Sequence, residues 1–194
     1  MNALSMQYNN HYTIKTTIHE TAEVSDEAFI GLGTQIWHQC QINSGVAIGN
    51  NCVIGKGVFI DHKVRIGDNV KIQNRTSIFL DVIIENNVNI EPHVCFSNSK
   101  KILLNKYNGK IPPTLVKAGA TIGEGTVILP GVVIGAYSIV GQGSIVTQDI
   151  PDYSYVQGNP AVIAGYICEC NQRLVLKEET AWYCSGCDKI YNFQ

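Results

Sequence analysis

The chain repeats itself every six residues. Stepping by six from Ile18, it reads Ile18, Val24, Ile30, Ile36, Ile42, Ile48, Ile54, Ile60, Ile66, Ile72, Ile78, Ile84, Ile90 and Phe96, fourteen large apolar positions without interruption. Four residues after each stands a second, smaller residue, as in Ala22, Ala28, Thr34, Cys40, Val46 and Cys52. A helix would place apolar residues about 3.6 apart and a half-buried strand would alternate them, so neither gives a strict period of six. A short supersecondary unit repeated at fixed period marks a solenoid, in which each unit buries its apolar face only against its neighbours.

Three units make one triangular coil of 18 residues, with the large aliphatic side chain pointing inward on each flat face and the small one near each corner. The expected fold class is therefore all-β, a left-handed parallel β-helix of hexapeptide repeats. Gly49, Gly55 and Gly67, which follow the aliphatic residue, are expected where the backbone turns tightly. Cys40 and Cys52 fall on small inward positions and read as packing residues rather than reactive thiols. The register is lost after Phe96 and resumes as Val116, Ile122, Ile128, Ile134, Val140 and Val146. The segment 97–115, with Lys100, Lys101, Lys106, Lys110, two prolines and an Asn-Gly pair at Asn108, reads as a long loop extruded from a corner, the kind of element that carries function.

A hydrophobic fraction of 45% against 15% charged supports a sizeable core. The net charge of -2 leaves no basic stripe for nucleic acid or an anionic membrane. The polar start of the chain and the absence of any stretch near the roughly 20 apolar residues a membrane span needs point to the cytoplasm. Near the C-terminus, Cys168 and Cys170 followed by Cys184 and Cys187 form a CxC, thirteen-residue, CxxC pattern. Four thiolates from two tight turns suit a structural zinc, with iron or a reduced, empty site as alternatives; four cysteines leave no open coordination position for catalysis. The intervening Leu174–Leu176 and Thr180–Tyr183 read as short strands. Two domains are expected: 1–165, the β-helix with its loop 97–115, and 166–194, a metal-binding knob with four cysteine ligands, resembling a zinc ribbon.

Five blocks lie off the repeat: Ile36-Trp37-His38, Val70–Asn74, Val94–Asn98, Thr114–Gly123 and Gln157-Gly158-Asn159-Pro160-Ala161. In order and spacing they resemble the N-acyltransferases that modify nucleotide-linked amino sugars for bacterial surface polysaccharides. The resemblance covers residues 18 to 165. It implies a homotrimer, an acyl-CoA donor lying along the groove between subunits, and a 3-amino-3-deoxyhexose on dTDP or UDP as acceptor. The knob is outside the family's usual pattern. So are Asn74-Arg75, where relatives have two asparagines, and Glu91 and His93, where they have small residues. The loop carries no arginine, whereas a uronic acid would want a guanidinium for its carboxylate, so a neutral 6-deoxy sugar on dTDP is favoured.

Transfer to an amine needs a neutral nitrogen, a thioester within attack distance, a donor for the oxyanion and a place for the amine proton. Asn98, at the mouth of the loop, matches the family asparagine that contacts the reacting part of the sugar; as an amide it can orient the amine but not act as a base. His93 and Glu91 are the candidate catalytic bases beside it, and His62 competes with them. His38, His62, Gln73 and Asn74 are candidate substrate contacts, although His38 and His62 read equally well as exposed solenoid residues. Lys117 could meet a phosphate of coenzyme A, and Gly123, Gly135, Gly141 and Pro160 offer small surfaces along which a pantetheine arm could lie. Trp37 and Phe79 occupy turn positions usually given to small residues; they would stack on a base or cover a trimer seam, the seam being favoured for Trp37. A γ-type carbonic anhydrase would need three converging histidines. An acetyltransferase for another small amine or hydroxyl substrate would share the donor chemistry, but the quoted blocks resemble such enzymes less well, and a non-catalytic binding solenoid would need no loop.

Overall fold

The computed structural model describes residues 15–98, 112–178 and 180–193. It is a β-solenoid of about seven turns in which two-residue strands recur at each repeat. Three parallel sheets form the faces: the first runs from Thr17–Ile18 through Gln35–Ile36, Val53–Ile54 and onward to Ser154–Gly158, the second starts at Glu23–Val24, and the third at Phe29–Ile30. Registers pair Lys71 with Val53 and Asn89, and Ile72 with Ile54 and Ile90, so the large aliphatic residues stack in columns. Ile48, Ile54, Ile60, Ile78 and Ile90 are wholly buried, each gaining about 1.5–3 kcal/mol from burial. Thr34, Thr76 and Thr126 take small inward positions; Thr34 Oγ1 donates to the Gly49 carbonyl at 2.8 Å, which removes the cost of burying the hydroxyl.

The turn glycines have a different cause from the one expected. The left-handed backbone falls two residues later, at Asn51 (φ 54°), Gly57 (φ 68°) and Asn69 (φ 57°). Gly49 is needed because the next coil is close: a Cβ there would sit 2.6 Å from the carbonyl carbon of Gly67.

Of the loop expected at 97–115, residues 99–111 lie outside the described residues. The strand before it, Cys95–Phe96, belongs to the second face, and the strand after it, Thr114–Val116, takes its place on the third. Val82 pairs with Thr114 and Ile84 with Val116, so the ladder crosses the insertion in phase. The first face ends when the chain reverses at Asn159-Pro160 and Ala161–Tyr166 pairs antiparallel with Ser154–Gly158. Strands Val175–Glu178, Ala181–Tyr183 and Ile190–Asn192 form a small separate antiparallel sheet. No helix among the described residues is long and apolar enough to cross a membrane.

Candidate active site and cysteine cluster

Each coil has three edges, and the solenoid sorts the candidate residues among them. The first edge, after the first face, carries His38, Gln73, Asn74, Glu91, His93, Gly123 and Gly141. The second, where the loop is inserted, carries His62 and Asn98. The third carries Lys117 and Gly135. Asn98 is thus not brought beside Glu91 and His93 within one chain, and Lys117 and Gly135 do not share an edge with Gly123 and Gly141.

On the first edge, successive coils place Trp37, Gly55, Gln73, Glu91, Gly123 and Gly141 in one column. Glu91 is half-buried and doubly held: Gln73 Nε2 donates to Oε2 at 2.6 Å and Asn89 Nδ2 to Oε1 at 2.7 Å. His93, two residues on, is exposed in the left-handed region (φ 61°), with no side-chain hydrogen bond among the described residues. The column beyond is bare: a Cβ added at the neighbouring Gly125 or Gly143 would meet nothing within 4 Å. Toward the N-terminal coils lies a groove of about 600 Å³ lined by Trp37, His38, Val53, Gly55, Lys56, Lys71, Ile72, Gln73 and Asn74. His38 stacks on His19 with ring centroids 3.6 Å apart. Spacing alone does not reveal that contact, because the two residues occupy different turn positions of adjacent coils. Lys71 and Asn89 also escape sequence reasoning, since they are outward residues of ordinary strands whose role depends on what the next coil presents.

On the second edge, His62 Nδ1 lies 2.9 Å from Ser44 Oγ, above a shallow groove that includes Glu23, Gln41 and Asn43. Asn98 is exposed beside Leu80, Pro112 and Pro130. On the third edge, Lys117 Nζ donates to Asp152 Oδ1 at 3.0 Å. Burial tends to raise the Asp152 carboxyl, but Lys117 and the Ala136 N–H outweigh it and hold the group below its ordinary value. Pro160 sits exposed at the turn that closes the first face.

Cys40 and Cys52 are buried and donate to the carbonyls of Gly55 at 3.0 Å and Gly67 at 3.1 Å. Burial pushes both thiols up. The other cluster differs. The sulfurs of Cys168, Cys170, Cys184 and Cys187 all lie within 4.8 Å of one another, compatible with the roughly 3.8 Å separation implied by zinc–sulfur bonds of about 2.3 Å in a tetrahedron. Burial opposes ionisation of Cys168, but the Cys170 N–H and the Tyr191 hydroxyl, 3.1 Å from its sulfur, hold it near 6. The Lys189 N–H favours a Cys187 thiolate, yet the adjacent Cys168 sulfur pushes that thiol up to about 12. Tyr153 ties this unit to the solenoid: its ring lies 5.4 Å from Tyr137 and 5.2 Å from Tyr191, and its carbonyl accepts from the Ile167 N–H at 2.7 Å.

Comparison with known proteins agrees with this architecture. The family model described as "Bacterial transferase hexapeptide (six repeats)" matches residues 27–62, 47–80 and 113–148. Over 80 residues, 41% of each chain, the sequence is 49% identical to dTDP-3-amino-3,6-dideoxy-α-D-galactopyranose 3-N-acetyltransferase of Aneurinibacillus thermoaerophilus. Over 58 residues, 30% of this chain and 27% of the relative, it is 40% identical to a galactoside O-acetyltransferase of Lactococcus lactis. Among solved structures, a mutant of GDP-perosamine N-acetyltransferase from Caulobacter crescentus, in complex with CoA and GDP-perosamine, aligns with TM-score 0.51 and 26% identity over 79% of this chain and 58% of that one. The fold is also shared with a mutant N-acyltransferase from Bacillus cereus in complex with dTDP and coenzyme A, at TM-score 0.54, 22% identity and coverage of 80% and 84%. The matched stretches span less than half the length of these curated relatives.

Proposed function

Because this chain is a hexapeptide-repeat protein, we propose that it is an acyl-CoA-dependent N-acyltransferase for the 3-amino group of a nucleotide-linked 3-amino-deoxyhexose, serving bacterial surface polysaccharide synthesis. The observation that carries this reading is the first edge, where a doubly anchored Glu91 and an unengaged His93 stand between a groove and a bare glycine column. The 49% identical stretch of a dTDP-3-amino-3,6-dideoxygalactose N-acetyltransferase supports the amine acceptor and, with the arginine-free loop, a neutral 6-deoxy sugar on dTDP.

In this reaction the amine nitrogen forms a bond to the thioester carbonyl carbon, the C–S bond breaks, and coenzyme A leaves as the thiolate. The amine proton passes to His93 and from there to the departing sulfur, while Glu91 fixes the local charge. The open positions Gly125 and Gly143, beside Gly123 and Gly141, leave room for the pantetheine arm, and Gly123, Gly141, Lys117, Gly135 and Pro160 are the proposed contacts to coenzyme A. His38, Gln73 and Asn74 line the acceptor side. Asn98 and His62, on another edge, reach the same centre only from a neighbouring subunit, which favours a homotrimer with its sites at the seams. Acyl-CoA and nucleotide sugars are cytoplasmic pools, which favours that compartment. The unit from 166 to 194 is proposed as a second domain in which Cys168, Cys170, Cys184 and Cys187 hold a structural zinc.

The test is mass spectrometry of the protein incubated with acetyl-CoA or 3-hydroxybutyryl-CoA and a panel of dTDP- and UDP-linked 3-amino sugars. A new amide mass with one pair supports the reading. Folded protein that acylates none of them overturns it in favour of a binding scaffold.

A further inference from the structure

We infer that the groove bounded by Trp37, Lys56 and Lys71 is a nucleoside diphosphate subsite, with the base lying on the Trp37 indole and the phosphates between the two ammonium groups. The inference rests on the acyltransferase reading for its choice of nucleotide, though not for the site itself.

One small residue, Gly55, is part of the groove's lining. In the column Trp37, Gly55, Gln73, the glycine lies between two large side chains, and a Cβ there would come within 2.8 Å of Asn74 Oδ1. Trp37 is 48% exposed, and its ring packs 6.0 Å from His38, itself backed by His19, so an apolar face is held open at the groove's end. Lys56 and Lys71 are exposed and have no ion pair among the described residues, and no carboxylate lines the cavity. A planar apolar face beside two unneutralised cations suits a ligand that carries a ring and adjacent negative charges, since aromatic side chains stack on any base and ammonium groups favour phosphate oxygens.

Both substrates have such a part: the sugar's nucleotide and the adenosine diphosphate of coenzyme A. Position favours the former. The groove lies on the N-terminal side of Glu91, whereas the bare glycines Gly125 and Gly143 lie on the other. From the Trp37 coil to the Glu91 coil is three strand spacings, roughly 14 Å, a span an extended nucleoside diphosphate sugar can bridge to bring its amine to Glu91 and His93.

The chain has two tryptophans, so Trp182→Phe leaves Trp37 as the sole indole reporter. In that background, titration with dTDP alone, without any acyl donor, is expected to quench the emission saturably. In the otherwise unaltered chain, Lys56→Ala/Lys71→Ala is expected to raise the Kd for dTDP at least tenfold by calorimetry while leaving that for coenzyme A within twofold, and Trp37→Ala to weaken dTDP similarly. Unchanged dTDP affinity in the double-lysine variant overturns the assignment, whatever Trp37→Ala does to assembly. Loss of coenzyme A affinity with dTDP retained overturns it in favour of the cofactor's nucleotide. The two readings fail separately: dTDP binding that follows these variants without any amide product leaves the subsite standing and removes the acyltransferase, whereas amide formation with variant-insensitive dTDP binding does the reverse.

Discussion

The Gln73 side chain donates to Glu91 Oε2 at 2.6 Å across a single coil step, so the carboxylate beside His93 is oriented by a residue 18 positions earlier. If His93 accepts the amine proton, His93→Ala lowers kcat by about 100-fold or more, the usual size of a general-base contribution. Gln73→Leu, which frees one side of Glu91, lowers kcat less, by about tenfold. Steady-state kinetics on the identified substrate pair decides this, and wild-type kcat in His93→Ala would remove the residue from the chemistry.

Neighbouring residues on one strand should differ sharply in their effect on stability. Ile72 is buried at 1% exposure and Lys71 points outward. Ile72→Ala is expected to cost about 2–5 kcal/mol, and Lys71→Ala less than about 0.5 kcal/mol. Urea unfolding of the two variants measures the contrast, and equal midpoints would mean that the inward column is not the core.

Cys40 and Cys52 should be silent toward a thiol reagent such as Ellman's reagent at pH 8 until the protein unfolds, because both are buried and both act as neutral donors to carbonyls. Their raised pKa values give a sign: the neutral thiols cost nothing below the ordinary thiol value of about 8.5, and stability falls as pH rises beyond it because only the unfolded chain ionises freely. A Cys40→Ala/Cys52→Ala variant should lose less stability between neutral and alkaline pH than the wild type. Rapid native labelling of either thiol would count against this packing.

The Lys117–Asp152 pair gives the opposite dependence. A depressed carboxyl contributes stability that is present above the unfolded value of about 3.9 and is lost as pH falls through the lower folded value. The stability difference between wild type and Lys117→Met should therefore be constant at neutral pH and shrink below about pH 4. A difference that persists in acid would show that Lys117 acts through packing instead.

One zinc per chain is expected by elemental analysis, and Cys184→Ser should release it while the far-ultraviolet dichroism of the solenoid persists, since the four sulfurs lie in the small C-terminal unit. Metal-free wild type purified in reductant with zinc supplied, or iron in its place, would refute the zinc assignment.

The coil architecture was legible because its cause is local: the period alone dictates which residue faces inward, and Cys40, Cys52 and Ile72 stand where counting puts them. The division of the site was less legible. Counting by 18 places His62 with Asn98 and His38 with Asn74, but it does not say what an outward side chain meets. The hydrogen bonds from Gln73 and Asn89 to Glu91, and the stack of His19 on His38, depend on side-chain direction between coils. The role of Gly49 and Gly55 was misread for the same reason: a glycine required by the approach of a neighbouring coil looks, in sequence, like a glycine required by its own backbone angle.

The reversal at Asn159-Pro160 gives the molecule a direction. Every earlier strand of the first face offers the next coil a parallel ladder, but Ala161–Tyr166 runs the other way and takes up the hydrogen bonds at that end. A second copy arriving there finds no template that continues the winding, so on this face the solenoid cannot elongate into a fibre by head-to-tail stacking. Side-by-side contact along the flanks, by contrast, is the geometry that permits closed rings of fixed size.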